Sequence, residues 1–265
     1  MATHRILIVT TSHGELGATG KRTGLWLEEL AVPYWVFRDA GYEVDLVSIK
    51  GGKVPLDPRS LEEGSGRPRS VQRFLDDEHL MQRMEATPAL ASVTADDYDA
   101  IFLPGGHGTM WDLPADEHLA RAVANAYDEG RIVAAVCHGP AGLVGAMRAD
   151  GKALVGARRV TGFTNAEEAA VGLTDVVPFL LESRLRELGA IFESGAPFQP
   201  FVVRDANLVT GQNPQSSEAA AEAVVEALAH SRPREPAERA RESGINSEMS
   251  QATNPARVSS STSAS

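Results

Sequence analysis

Between Arg5 and Ser48 the chain reads as strand, helix, strand, and this order narrows the possible folds more than any other feature. Arg5 to Thr10 is a short β-branched run ending in a polar cluster, the pattern of a buried strand. A glycine-rich loop, Thr11 to Lys21, follows it. Thr23 to Ala40 has helical spacing, with Leu25, Leu30 and Phe37 among its apolar positions. Pro33 is expected to kink or divide that helix, since proline lacks an N–H and crowds the preceding turn. Gly41 suits a C-terminal stop, and Tyr42 to Ser48 reads as a second strand. Two strands joined by a crossover helix lie parallel, so the fold class is α/β with a mostly parallel sheet.

Further strands are expected at Ala100 to Leu103, Arg131 to Val136 and Leu154 to Val160. Phe201 to Val203 and Leu208 to Thr210 flank Asp205-Ala206-Asn207 as a hairpin. Helices are expected at about Ala115 to Glu129, after Cys137-His138-Gly139-Pro140 to about Met147, at Val176 to Leu188 and at Ser216 to Ala229. Residues 51–98, with several prolines and dense charge, read as an inserted cap or lid. Residues 1–230 therefore form a single domain. After His230 the chain is rich in Ser, Arg and Pro, and residues 231–265 are expected to be a disordered tail, with too little apolar surface to offset the entropy of ordering.

The formal net charge is −11, which argues against nucleic-acid binding because an acidic chain repels phosphate. No apolar run approaches the roughly 20 residues of a membrane span. The one cysteine excludes an internal disulfide, and with no signal-like N-terminus a cytoplasmic location is expected.

That cysteine, Cys137, stands where a buried strand, Ile132 to Val136, runs into Cys137-His138-Gly139-Pro140 without a loop. A residue at such a junction projects at the carboxyl edge of the sheet, where α/β folds bind ligands. Small neighbours, Ala135 and Gly139, permit a tight turn like a nucleophile elbow. A helix starting at the sulfur would lower the thiol pKa. We therefore read Cys137 as a nucleophile rather than a buried structural cysteine. The loop Pro104-Gly105-Gly106-His107-Gly108 ends another strand and offers backbone donors for an oxyanion through Gly106, with the His138 N–H as the second. It lacks the Lys-Ser/Thr ending of a phosphate-binding loop, although a plain turn is equally compatible with it. The remaining histidines, His4, His13, His79, His118 and His230, show no metal-ligand spacing, so no metal is expected.

Five segments in order, Thr23-Gly24-Leu25-Trp26-Leu27-Glu28-Glu29-Leu30, Leu103-Pro104-Gly105-Gly106-His107-Gly108-Thr109, Ala134-Ala135-Val136-Cys137-His138-Gly139-Pro140, Val160-Thr161-Gly162-Phe163-Thr164-Asn165-Ala166-Glu167-Glu168 and Val209-Thr210-Gly211-Gln212-Asn213-Pro214, resemble the PfpI superfamily (class I glutamine-amidotransferase-like). Within it they resemble the branch of glyoxalase III and heat-shock chaperone proteins. The resemblance implies a flavodoxin-like sandwich with helices on both faces, commonly dimeric. It implies Cys137 as nucleophile, His138 as its histidine, Glu168 as the acid orienting that histidine with Glu167 one residue away as the alternative, and Glu29 beside the sulfur. His107 competes with His138 for the same pocket. Gly106 and His138 are the implied oxyanion donors. The implied activity is cofactor-independent conversion of methylglyoxal and water to lactate, with deglycase and holding-chaperone activities as companions. The alternatives are a cysteine peptidase or amidase of the same superfamily, or a non-enzymatic stress chaperone.

Overall fold

The structure, a computed structural model, describes residues 3–62 and 68–233; the expected tail beyond residue 233 lies outside the described residues. Six strands form one sheet: β1 (Arg5–Thr10), β2 (Glu43–Ser48), β3 (Ala100–Leu103), β4 (Ile132–Val136), β7 (Val202–Asp205) and β8 (Leu208–Gly211), in the order β2-β1-β3-β4-β8-β7. All neighbours run parallel except the β7–β8 hairpin. A separate two-stranded sheet pairs β5 (Arg159–Val160) with β6 (Ile191–Phe192). This is the expected flavodoxin-like α/β architecture.

Alternation along the strands gives the sheet two apolar faces. Leu7, Val9, Ile101, Leu103, Val133 and Ala135 face one core, under helix α5 (Glu117–Asp128). Ile6, Ile8, Phe102, Ala134 and Val136 face the other, under α1 (Leu27–Asp39) and α8 (Ser217–Ala229).

Several expected boundaries are corrected. Helix α1 begins at Leu27 rather than Thr23, because Leu25 is held as a β-bridge: its N–H donates to the Pro55 carbonyl at 2.8 Å and its carbonyl accepts from Asp57 N at 2.9 Å. The helix also runs through Pro33 undivided. Pro33 is buried, and Leu30 and Phe37 on either side are clamped in the core, with the Phe37 ring 5.5 Å from that of Phe102. Packing of that kind outweighs the loss of one helical hydrogen bond. After β4 there is no α-helix to Met147 but a five-residue 3-10 turn, Gly139–Leu143. The strand expected from Leu154 shrinks to Arg159–Val160, with Leu154 and Val155 buried in turns. The helix expected from Val176 starts at Leu181 as α7 (Leu181–Glu187); Pro178 disfavours helical geometry just before it. Helix α6 (Asn165–Ala170) was not anticipated.

The cap contains α2 (Arg69–Leu75) and α3 (Glu78–Glu85). Its apolar side chains Val71, Phe74, Leu80 and Met84 are buried against the α1 side of the core. A short α4 (Thr109–Asp112) follows the glycine-rich loop after β3.

Candidate active site

Strand order reverses between β2-β1 and β3-β4, and ligands in such sheets bind beyond the carboxyl ends of the strands near that switch. There β3 delivers Gly105-Gly106-His107 and β4 delivers Cys137-His138. Helix α1 contributes Glu29 from its first turn and α6 contributes Glu168.

Cys137 has φ +59°, left-handed for a non-glycine residue, which costs roughly 1–3 kcal/mol. The surroundings hold it there. Its N–H donates to the Gly211 carbonyl at 2.9 Å, and its carbonyl accepts from Phe163 N at 2.8 Å. Gly106, at φ +97°, lies so close to the backbone of Gly24 and Trp26 that a Cβ would overlap both. That close approach brings its N–H, together with that of His138, to the Cys137 sulfur, so both residues expected as oxyanion donors reach the same atom.

A hydrogen-bonded chain extends from the sulfur. Cys137 Sγ lies 3.3 Å from His138 Nδ1, and His138 Nε2 lies 2.8 Å from Glu168 Oε2. The other Glu168 oxygen, Oε1, lies 2.9 Å from His107 Nε2, and His107 Nδ1 lies 3.2 Å from Arg59 Nη2. Arginine can only donate, so His107 Nδ1 accepts and Nε2–H donates to Glu168. Burial, with His138 nearby, pulls the His107 pKa down to about 4 against the pull of Glu168, so this imidazole is neutral at pH 7. Burial alone would raise the Glu168 carboxyl; hydrogen bonds from the two imidazoles outweigh it and hold the group well below the usual carboxylate range. A carboxylate accepting at Oε2 puts the proton of neutral His138 on Nε2 and leaves Nδ1 facing the thiol as an acceptor.

Glu29 is fully buried across the sulfur from this chain. Its Oε2 accepts from Gly105 N at 2.7 Å. Its Oε1 is buried without a hydrogen-bond partner of good geometry, and the polar neighbour of the carboxyl is the Cys137 thiol. Burial pushes Glu29 well above its ordinary pKa and dominates the opposing hydrogen bonds. Burial likewise pushes the Cys137 thiol up, and the Glu29 charge adds to that. The lowered thiol pKa expected from a helix N-terminus is therefore corrected: the 3-10 turn supplies no α-helical dipole, and the Gly106 and His138 N–H groups do not offset burial. Burial thus favours the protonated form of both groups, and a thiol held in that form needs a base to activate it. His138 Nδ1 is in place to take that proton.

The structure thus brings Cys137, His138, Glu168, Glu29 and Gly106 together, and His107 joins His138 on Glu168 rather than replacing it. Glu167, the alternative acid, is committed elsewhere. With Thr164 it forms a capping box, and its Oε1 accepts from Phe198 N (2.8 Å), Gln212 Nε2 (3.1 Å) and Asn213 Nδ2 (2.8 Å). This anchors the loop that carries Phe198 against Phe163, with ring centroids 6.3 Å apart. Arg59 was missed by sequence reasoning. It reaches the site from the cap, in the turn Pro58–Leu61, where it pairs with the completely buried Asp57, and no local sequence pattern marks it.

His107, His138 and Glu168 present ring nitrogens and carboxylate oxygens within 4.8 Å of one another, the one grouping of metal-ligand type found among the described residues. Both Nε2 atoms already point at Glu168 oxygens at hydrogen-bond length, so a cation would have to displace the proton that each donates. The cavity above the sulfur measures about 210 Å³; Trp26, Phe163 and Phe198 wall it and Cys137 forms its floor. No helix among the described residues is long and apolar enough to cross a membrane.

Residues 23–227 match the family model described as DJ-1/PfpI. The chain is 33% identical over 235 residues, 84% of its own length and 96% of the relative's, to a protein of Schizosaccharomyces pombe named glutathione-independent glyoxalase. It is 32% identical over 233 residues to glyoxalase 3 of Candida albicans, covering 84% of this chain and 98% of that one. Among solved structures, the rapid encystment protein of Francisella tularensis superposes with a TM-score of 0.82 at 40% identity, over 85% of this chain and 99% of that one. The Candida albicans glyoxalase III structure superposes with a TM-score of 0.78 at 31% identity, over 84% and 97% of the two chains. By the family match and by these relatives together, the chain belongs to the DJ-1/PfpI family.

Proposed function

We propose that the protein is a glutathione-independent glyoxalase that converts methylglyoxal and water to lactate. The observation carrying this reading is the chain Cys137–His138–Glu168, at 3.3 and 2.8 Å, with a buried Glu29 carboxyl on the opposite side of the sulfur. The names of the relatives support it.

His138 Nδ1 takes the thiol proton as the sulfur adds to the aldehyde carbon, and Glu168 stabilises the imidazolium. The developing alkoxide accepts from the Gly106 and His138 N–H groups and is then protonated, giving a hemithioacetal. The C–H proton of the former aldehyde carbon is removed and returned to the neighbouring carbon through an enediol. The carbonyl carbon is reduced as the aldehyde carbon is oxidised, so no external oxidant enters. Glu29 suits this shuttle, since its buried carboxyl faces the Cys137 thiol; His138 is the second candidate. The resulting thioester is hydrolysed by water to lactate, and the thiol is restored.

The peptidase reading fares worse, because a cavity of about 210 Å³ suits a small carbonyl compound and not a polypeptide. The holding-chaperone reading needs a contiguous apolar face. Among the described residues the large exposed apolar side chains are Leu61, Met147, Val171, Ile191 and Phe198, while Val71, Phe74, Leu80 and Met84 of the cap helices are buried. The test is lactate release by purified protein supplied with methylglyoxal alone, with Cys137→Ala alongside. Lactate formed by Cys137→Ala at the wild-type rate overturns the assignment.

A further inference from the structure

The cavity holds more than a three-carbon aldehyde requires. At about 210 Å³ it has room for roughly seven waters at about 30 Å³ each, against the five heavy atoms of methylglyoxal. Its lining carries one Lys or Arg side chain, Arg59. Two of the guanidinium nitrogens are held from behind: Nε and Nη2 donate to Asp57 at 3.0 and 2.7 Å, and Nη2 also approaches His107. Nη1 has no partner among the described residues, and the side chain is 38% exposed. The guanidinium also stands 5.8 Å from the centre of the Trp26 ring, so its orientation is fixed by three neighbours before any ligand arrives. Glu29, the one carboxyl in the lining, has its pKa raised well above the ordinary value by burial, which disfavours a competing negative charge there.

We propose that Arg59 forms an anion subsite, and that the larger substrates of this enzyme are 2-oxoaldehydes bearing a carboxylate or phosphate at the end remote from the aldehyde. The Nη1 N–H groups point one charge-assisted hydrogen-bond donor set at that anion while the aldehyde carbon sits over Cys137 Sγ. Asp57 preorganises the guanidinium, so little side-chain entropy is lost on binding. This assignment rests on Cys137 being the reacting group of the proposed function, though not on the chemistry that follows addition.

Cys137 is the only cysteine of the chain, so alkylation reports on this cavity alone. Iodoacetate and iodoacetamide differ in charge and hardly in shape. The rate ratio of iodoacetate to iodoacetamide on the wild-type protein, divided by the same ratio on free cysteine, is expected to be about ten or more, the worth of one charge-assisted hydrogen bond. Thiol activation cancels in the ratio. Arg59→Gln is expected to return it to near one, and Arg59→Lys, which keeps a cation beside buried Asp57 if the glutamine variant fails to fold, to lower it several-fold. A wild-type ratio no higher than that of free cysteine, or one unchanged in a folded Arg59 variant, overturns the proposal. Turnover then separates the two anions: kcat/KM is compared for 4,5-dioxopentanoate, its methyl ester and the phosphate ester of hydroxypyruvaldehyde. The favoured anion exceeds the neutral ester about tenfold in the wild type and loses that margin in Arg59→Gln; equal values for all three refute the subsite. A raised alkylation ratio without hydroxy-acid product from any of them leaves the anion subsite standing and removes the glyoxalase reading instead.

Discussion

Replacing Glu29 by Gln should make the protein more stable at neutral pH and far less active. The substitution keeps shape: the amide oxygen can still accept from Gly105 N, which lies 2.7 Å from Oε2, and the amide NH2 takes the place of Oε1. Burial raises the folded-state pKa of Glu29 above the value near 4.3 of the unfolded chain. A raised folded pKa means that unfolding releases a proton, so stability is full below the unfolded pKa and declines as pH climbs towards the folded one. The slope is about 1.4 kcal/mol per pH unit while the unfolded chain is ionised and the folded one is not. Glutamine does not titrate, so the stability gap between Glu29→Gln and wild type should open with pH at that slope from about pH 5 upward. Turnover should fall by about 10²–10⁴, the usual contribution of a positioned acid–base group, or about 3–5 kcal/mol of barrier. Urea melts at a series of pH values between 5 and 8, beside lactate release from methylglyoxal, measure both. A gap that stays flat with pH would falsify the neutral, buried state of Glu29, and full turnover in the variant would move the proton shuttle to His138.

The thiol should behave as a protected one: at pH 7 Cys137 is expected to react with iodoacetamide more slowly than free cysteine, and a faster rate would contradict the upward shift caused by burial. Glu168→Gln keeps the shape but offers one acceptor oxygen where two histidine N–H groups need one each, and leaves His138 without a negative partner, so turnover is expected to drop at least about 10²-fold with the fold intact by circular dichroism. His107, pulled to about pH 4 in the folded state, stays neutral while the unfolded chain protonates near 6.5; stability is therefore complete above pH 6.5 and is lost as pH falls towards 4, by roughly 3 kcal/mol. His107→Gln should flatten that acid limb of the stability profile, and an unchanged limb argues against a neutral His107. Gly106→Ala forces a Cβ against the backbone of Gly24 and Trp26 at a positive φ and is expected to lower the melting temperature and abolish lactate release together; a stable, active variant would remove Gly106 from the oxyanion site.

What the sequence revealed and what it hid follow from the range of the interactions concerned. The central strands were legible because short β-branched runs ending in Gly or polar clusters have few other uses, and Cys137 was legible because β4 leaves it nowhere to sit but an elbow. Helix ends were misjudged wherever a distant contact decides them: Leu25 is drawn out of α1 by pairing with Pro55 and Asp57, and Pro33 is tolerated because the core clamps its neighbours. The choice between Glu167 and Glu168 was in fact written locally. Thr164-Asn165-Ala166-Glu167 is a capping-box pattern, which ties Glu167 to the helix start and leaves the next residue to turn towards the histidines. No such local pattern marks Arg59 or the second histidine contact of Glu168. Those depend on the cap folding back over β3, which brings residues 48 positions apart within 3.2 Å. The direction of the thiol pKa was beyond sequence for the same reason. It is the outcome of complete burial and a facing carboxyl from α1, set against two backbone donors, and the burial of that carboxyl is a property of the assembled core. In the proposed mechanism burial holds the thiol in its less nucleophilic form until His138 takes its proton as a carbonyl adds, which is a useful property for a lone thiol in an enzyme acting on electrophiles.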